Sequence, residues 1–215
     1  YERVAQCDDL MLANSARYML ASKSIQQRNY DKAQELLDQI PKKSIPDKRT
    51  LQAELLAKQG KTAEAEAILE RMALNSLQET LMTVVKLIPL LTADGKSEQA
   101  EQLAGASRTE CEAFGLWQYS AYLAQMQLAV SSRDIKESIR LIAAMLRAAE
   151  TPWDISACPL FCHQLRKENA ENMGQDFLPP LLSELESNPE YAFLREEPEF
   201  QKLLAEYREK IRSPH

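Results

Sequence analysis

The feature that most constrains this chain is a small residue that recurs behind a turn. Ala33, Ala65, Ala100 and Ser138 each stand five residues after a break in helical periodicity, at spacings of 32, 35 and 38 residues. The breaks begin at Arg28-Asn29, Gly60-Lys61, Gly95-Lys96 and Arg133-Asp134. A small side chain at a fixed offset lets one helix cross its predecessor closely, where a bulky one would push the pair apart. Four residues further along sit Leu37, Leu69, Ala104 and Ile142. The pattern reads as four helical hairpins.

Composition supports helices throughout. There are 30 Leu and 27 Ala against 4 Val, 10 Ile and 7 Thr, and β-branched residues are the natural strand formers. The periodicity predicts helices at about 4–27, 31–40, 47–59, 62–74, 77–93, 97–112, 115–131 and 135–149. Ser76-Leu77-Gln78-Glu79 and Asp134-Ile135-Lys136-Glu137 match capping boxes, and Pro89 predicts a kink. The period fails after about residue 150. Pro159 is expected to open a helix ending near Gly174, and Asp176 to cap another through Leu185. Further starts are expected at Pro189 and Pro198, with Tyr191, Phe193, Leu194, Phe200, Leu203 and Leu204 on apolar faces. Residues 1–150 thus read as about four repeats, and 151–215 as atypical helices capping the open end of the stack.

Several functions lack their residues. The five glycines, Gly60, Gly95, Gly105, Gly115 and Gly174, are too scattered for a dinucleotide fingerprint or a P-loop. The two histidines are His163 and the terminal His215, which leaves histidine acid/base chemistry one candidate, His163. No nucleophile elbow or His-Glu-x-x-His helix occurs, so a catalytic role is not expected. With 26 Lys+Arg against 32 Asp+Glu, a net charge of −6 and no basic stripe, direct nucleic-acid binding is not expected either. The 20-residue uncharged stretch Ala113 to Ser132 contains Gln118, Gln125 and Gln127, and reads as a buried helix, not a membrane span. Tyr1-Glu2-Arg3-Val4 has no apolar leader character, and Cys7, Cys111, Cys158 and Cys162 show no disulfide framework, which together point to a reduced, cytoplasmic setting.

Cys158, Cys162 and His163 form the one candidate metal cluster. On a helix the histidine would point about 100° away from Cys162, and a fourth ligand is missing, so neither metal nor cofactor is expected. Trp117, Tyr119 and Tyr122 could form an aromatic pocket, although Tyr122 falls at a core position of the repeat.

A helix–turn–helix unit with a period near 34 resembles the tetratricopeptide (TPR) repeat. The resemblance implies an all-α solenoid in which the first helix of each repeat lines a concave groove. The matching offsets give Tyr18 and Ser22 in the first repeat, and Asp47, Thr50, Glu54 and Lys58 in the second. They give Val85 in the third repeat and Leu123 and Gln127 in the fourth. Lys58 stands nearly alone beside Asp47 and Glu54, so the carboxylate clamp of chaperone-binding relatives is not carried over. A peptide with a basic or neutral head and an apolar tail would complement the groove.

Two further segments, Thr151-Pro152-Trp153-Asp154-Ile155 with Cys158-Pro159-Leu160-Phe161, and Tyr191-Ala192-Phe193-Leu194 with Pro198 and Phe200, narrow the comparison. They resemble C-terminal TPR domains of bacterial XRE-type helix-turn-helix transcriptional regulators, over about residues 17 to 207. That likeness implies a non-catalytic sensor or dimerisation module binding a protein or peptide, with the DNA-binding domain upstream. Homodimer formation is compatible with it. A free-standing TPR adaptor and, more remotely, an enzyme or metal protein are the alternatives.

Overall fold

The computed structural model describes residues 1–164 and 173–212. Among them the chain is all-α, with no strand. The helices are α1 (Leu10–Gln26), α2 (Tyr30–Asp38), α3 (Arg49–Lys58), α4 (Thr62–Ala93), α5 (Ser97–Ala113), α6 (Gln118–Ser131), α7 (Ile135–Glu150), α8 (Met173–Ser187) and α9 (Pro198–Arg212). Two compact units divide the chain, Tyr1–Asn75 and Ser76–His215.

The turn that opened the sequence argument takes one structure four times. Arg28, Gly60, Gly95 and Arg133 have φ of 60°, 80°, 73° and 53°. The next amide in each case reaches back over the helix end at 2.9 Å: Asn29 to Ser24 O, Lys61 to Leu56 O, Lys96 to Leu91 O and Asp134 to Ala129 O. A left-handed residue followed by such a bond closes a helix and satisfies carbonyls that would otherwise be orphaned. The small residue that follows is buried in every case, with 0%, 4%, 0% and 0% exposure for Ala33, Ala65, Ala100 and Ser138. The sequence column is a packing column.

The expected break between 74 and 77 does not exist. Thr62–Ala93 is one helix, so Ser76 and Glu79 lie in its interior and form no capping box. No Gly or Pro occurs between Lys61 and Ile88, so nothing there favours a left-handed stop. Pro89 is accommodated inside the same helix. At the other end of the chain, the first helix begins later than expected: Asp9 caps α1 by accepting from the amides of Met11 (2.9 Å) and Leu12 (3.1 Å). The described part of the helix expected from Pro159 is a single 3-10 turn, Pro159–Phe161, and its continuation falls largely outside the described residues, as does His215. Gly174 lies inside α8, where a helix was expected to end. Pro189 opens a 3-10 helix, Pro189–Leu194, and Pro198 opens α9, both as expected.

The first unit packs α1, α2 and α3 around Ala21, Ile25, Ala33, Leu37, Ile40 and Leu55. Ala21 and Ala33 are wholly buried, which lets α1 and α2 cross closely. The Lys48 ammonium closes the far end of α2 by donating to the carbonyls of Leu37 (2.8 Å) and Ile40 (2.6 Å). A cation suits that end, where the last carbonyls carry the negative pole of the helix dipole.

The second unit builds a larger core. Leu81 of α4 packs with Cys111 and Ala121, and Ile88 with Ala104 and Ala124, joining α4 to α5 and α6. The main cluster unites α6 to α9 through Met126, Leu146, Leu182, Leu194, Phe200 and Tyr207. Burying one such side chain stabilises the fold by roughly 1.5–3 kcal/mol. The Tyr207 hydroxyl donates to Glu150 Oε2 (3.1 Å) and the Lys210 ammonium to Glu150 Oε1 (2.9 Å), fastening α9 to the end of α7. The change in sequence character near residue 150 therefore falls inside this unit.

Candidate functional site

The expected groove residues divide between the two units. In the first, Tyr18 on α1 and Thr50 on α3 join hydroxyls at 3.2 Å. Asp47 is engaged by its neighbour, accepting from Arg49 Nε (2.9 Å) and Nη2 (2.7 Å). That hydrogen bond holds the Asp47 carboxyl below the usual range, against a smaller opposing effect of burial. Ser22 lies on α1, and Glu54 and Lys58 on α3. Much of this surface is polar and bonded to itself.

In the second unit Val85, Leu123 and Gln127 line one cavity of about 250 Å³. The helical repeat explains the convergence on α6, because Tyr119, Leu123 and Gln127 lie four residues apart and share one face. Met145 and Leu146 of α7 form further apolar wall, with Leu181 and Leu185 of α8. Glu184, Asn188, Glu190 and Tyr191 complete the lining from the end of α8 and the following 3-10 helix. Among the described residues no Lys or Arg lines it.

Two tyrosines give the cavity its polar character. Tyr119 is 9% exposed and Tyr191 6%, and neither hydroxyl has a hydrogen-bond partner among the described residues. Burial, with a contribution from Tyr191, raises the Tyr119 pKa. Burial pushes Tyr191 up to about 12, and the carboxylates of Glu190 and Glu184 add to the shift. Both hydroxyls are therefore neutral at physiological pH and able to donate or accept. Asn188 organises the rim, donating from Nδ2 to Glu184 and accepting the Glu190 amide at 2.9 Å.

An aromatic group supports the wall from behind. Trp117 stacks on Tyr119 at 4.8 Å, and Phe177 meets Tyr119 edge-on at 4.9 Å. The Trp117 indole donates to the Ala148 carbonyl at 3.3 Å, fixing the start of α6 against the end of α7. Tyr119 belongs to the aromatic group singled out in the sequence, and Tyr122 packs against the main core. Glu184, Asn188 and Glu190 carried no sequence signal.

Of the cysteine candidates, Cys158 is engaged away from the other two residues of its cluster. Cys158 donates its thiol to the Phe114 carbonyl at 3.3 Å. Its sulfur also lies against Gly115, where an added Cβ would come within 2.8 Å of Sγ. Trp153 donates its indole N–H to the Gly115 carbonyl at 3.2 Å, so the segment after α7 braces the turn between α5 and α6. Cys162 Sγ and His163 Nδ1 come to 3.5 Å, closer than helical geometry implied, because the chain there is not a helix. Burial pushes the Cys111 thiol up to about 11, with help from Glu110 and Glu112, which keeps it un-ionised.

No helix among the described residues is long and apolar enough to cross a membrane. No known family model, curated protein or solved structure matches the chain.

Proposed function

We propose that this chain is a non-catalytic helical-repeat domain that binds a protein or peptide through the cavity of its second unit. The observation that carries the reading is the meeting of Val85, Leu123 and Gln127 with Tyr119 and Tyr191 around one apolar recess. Three of those residues come from the repeat offsets alone. Buried apolar anchors in such recesses supply most of the affinity of an interface, while rim charges set orientation and approach. At about 250 Å³ the recess lies below the ~300–1,000 Å³ of sites that swallow a drug-sized ligand, and it suits a side chain of a longer partner.

The TPR-like turns and the resemblance of the C-terminal segments to XRE-type regulators favour the sensor or dimerisation part of a transcriptional regulator, within a bacterial cytoplasm. The net charge of −6 argues that DNA contacts belong to another domain of such a regulator.

Selection of a random displayed peptide library on the full chain tests the reading. Binders should carry an apolar anchor, and Leu123→Asp should abolish their binding with the helical circular dichroism retained. Gln127→Trp, which fills the recess without a buried charge, should do the same. Binders that tolerate both substitutions would overturn the assignment.

A further inference from the structure

The two tyrosine hydroxyls and the two rim carboxylates make a polar end that the apolar walls do not explain. Tyr119 and Tyr191 are each at least nine-tenths buried as residues, and neither hydroxyl makes a hydrogen bond among the described residues. Both residues line the recess, so a ligand seated there with polar atoms to offer can bond their hydroxyls. Glu184 and Glu190 line the same recess, and both carboxylates add to the upward shift of the Tyr191 hydroxyl. Asn188 holds this group in place, and the Arg195 guanidinium donates to the Asn188 carbonyl at 2.8 Å without lining the recess. Leu123, Met145, Leu146 and Leu181 contribute apolar lining to the same recess.

We propose that the recess selects a cationic peptide segment, seating an apolar side chain against Leu123 and Leu146 and placing a neighbouring Lys or Arg between Glu184 and Glu190. The inference rests on the reading of the recess as a peptide site and adds its charge preference. Charge complementarity fixes the occupant. A cation reaching the rim meets two carboxylates and two neutral hydroxyls able to accept, whereas an acidic segment meets two like charges. The hydroxyls also have protons to give to a peptide carbonyl beside the cation. This places the cation-recognising end on Glu184 and Glu190, far along the sequence from the Asp47 and Glu54 pair that the repeat offsets suggested.

The test uses the full chain and two capped peptides, acetyl-Leu-Phe-Lys-Lys-amide and acetyl-Leu-Phe-Glu-Glu-amide. Binding is read by calorimetry and by the fluorescence of Trp117, which stacks on Tyr119. The lysine peptide should bind about tenfold or more tightly than the glutamate peptide, and added salt should shrink the difference. The double variant Glu184→Gln, Glu190→Gln alters two exposed side chains and should fold normally. In it the preference should fall to about threefold or less, with the apolar contribution to binding retained. Equal affinity for the two peptides, or a preference untouched by the double variant, would overturn the cation selection and leave the recess standing as a peptide site. Failure of both peptides to bind, or binding that survives Leu123→Asp and Gln127→Trp, would overturn both readings.

Discussion

The two units present the same repeat offsets with opposite chemistry. In the first, Tyr18 bonds Thr50 and Asp47 bonds Arg49, so polar side chains on that face satisfy one another. In the second, Val85, Tyr119, Leu123 and Gln127 surround a recess whose tyrosine hydroxyls have no hydrogen-bond partner among the described residues. An offset in a repeat fixes where a side chain stands. Whether it is free to bind depends on what else reaches it, and in the second unit that is the segment after α8, which belongs to no repeat.

The largest expected difference between the units is at alkaline pH. Tyr191 and Tyr207 are pushed up to about 12 from an ordinary value of 10, by burial first and then by neighbouring carboxylates. Their neutral forms are favoured in the folded state. The stability they contribute is complete below pH 10 and is lost as pH rises towards 12. Trp117 and Trp153 both lie in the second unit, so tryptophan emission follows that unit selectively. The unfolding free energy from urea titrations read by emission should fall between pH 10 and 12, by on the order of a few kcal/mol, with the midpoint falling in step. An unchanged midpoint would mean that these hydroxyls ionise freely in the folded unit.

Overpacking comes next. Ala33→Leu and Ala100→Leu place a larger side chain at fully buried helix crossings, one in each unit, and should each cost about 1–3 kcal/mol. Only Ala100→Leu should shift the transition seen by tryptophan emission if the units unfold separately. A shift of equal size in both would show that they unfold together. Ser138 occupies the same column but its hydroxyl is buried and unpaired. Ser138→Ala should therefore stabilise the second unit by about 1 kcal/mol, raising its thermal midpoint. The smallest effect belongs to the turns. Arg28 and Arg133 hold the left-handed conformation that Gly60 and Gly95 adopt without a Cβ. Arg133→Gly should stabilise by about 0.5 kcal/mol, the relief of strain being partly offset by a more flexible unfolded chain. A loss of stability would show that the Arg133 side chain contributes more than its backbone costs.

The turns were legible in the sequence because each combines two local signals, a left-handed stop and a small residue five positions on. The continuity of α4 was not, because Ser76 and Glu79 match a capping box by spacing alone, and no residue nearby ends the preceding helix. Val85, Leu123 and Gln127 were found by extrapolating a column. Glu184, Asn188 and Glu190 were out of reach for the same reason in reverse: the segment after residue 150 follows no period, so no column extends into it. Tyr191 was read only as part of an apolar cap. Its role in the recess depends on α8 and the 3-10 helix packing back onto α6 and α7, a long-range event that local pattern does not encode.

The most direct test of the account is chemical-shift mapping on the full chain with the lysine peptide. The account predicts that the largest perturbations fall on Val85, Tyr119, Leu123, Gln127, Glu184 and Tyr191, with little change at Tyr18, Thr50 or Glu54. Perturbations centred on Tyr18, Thr50 and Glu54, with the recess residues unmoved, would contradict it.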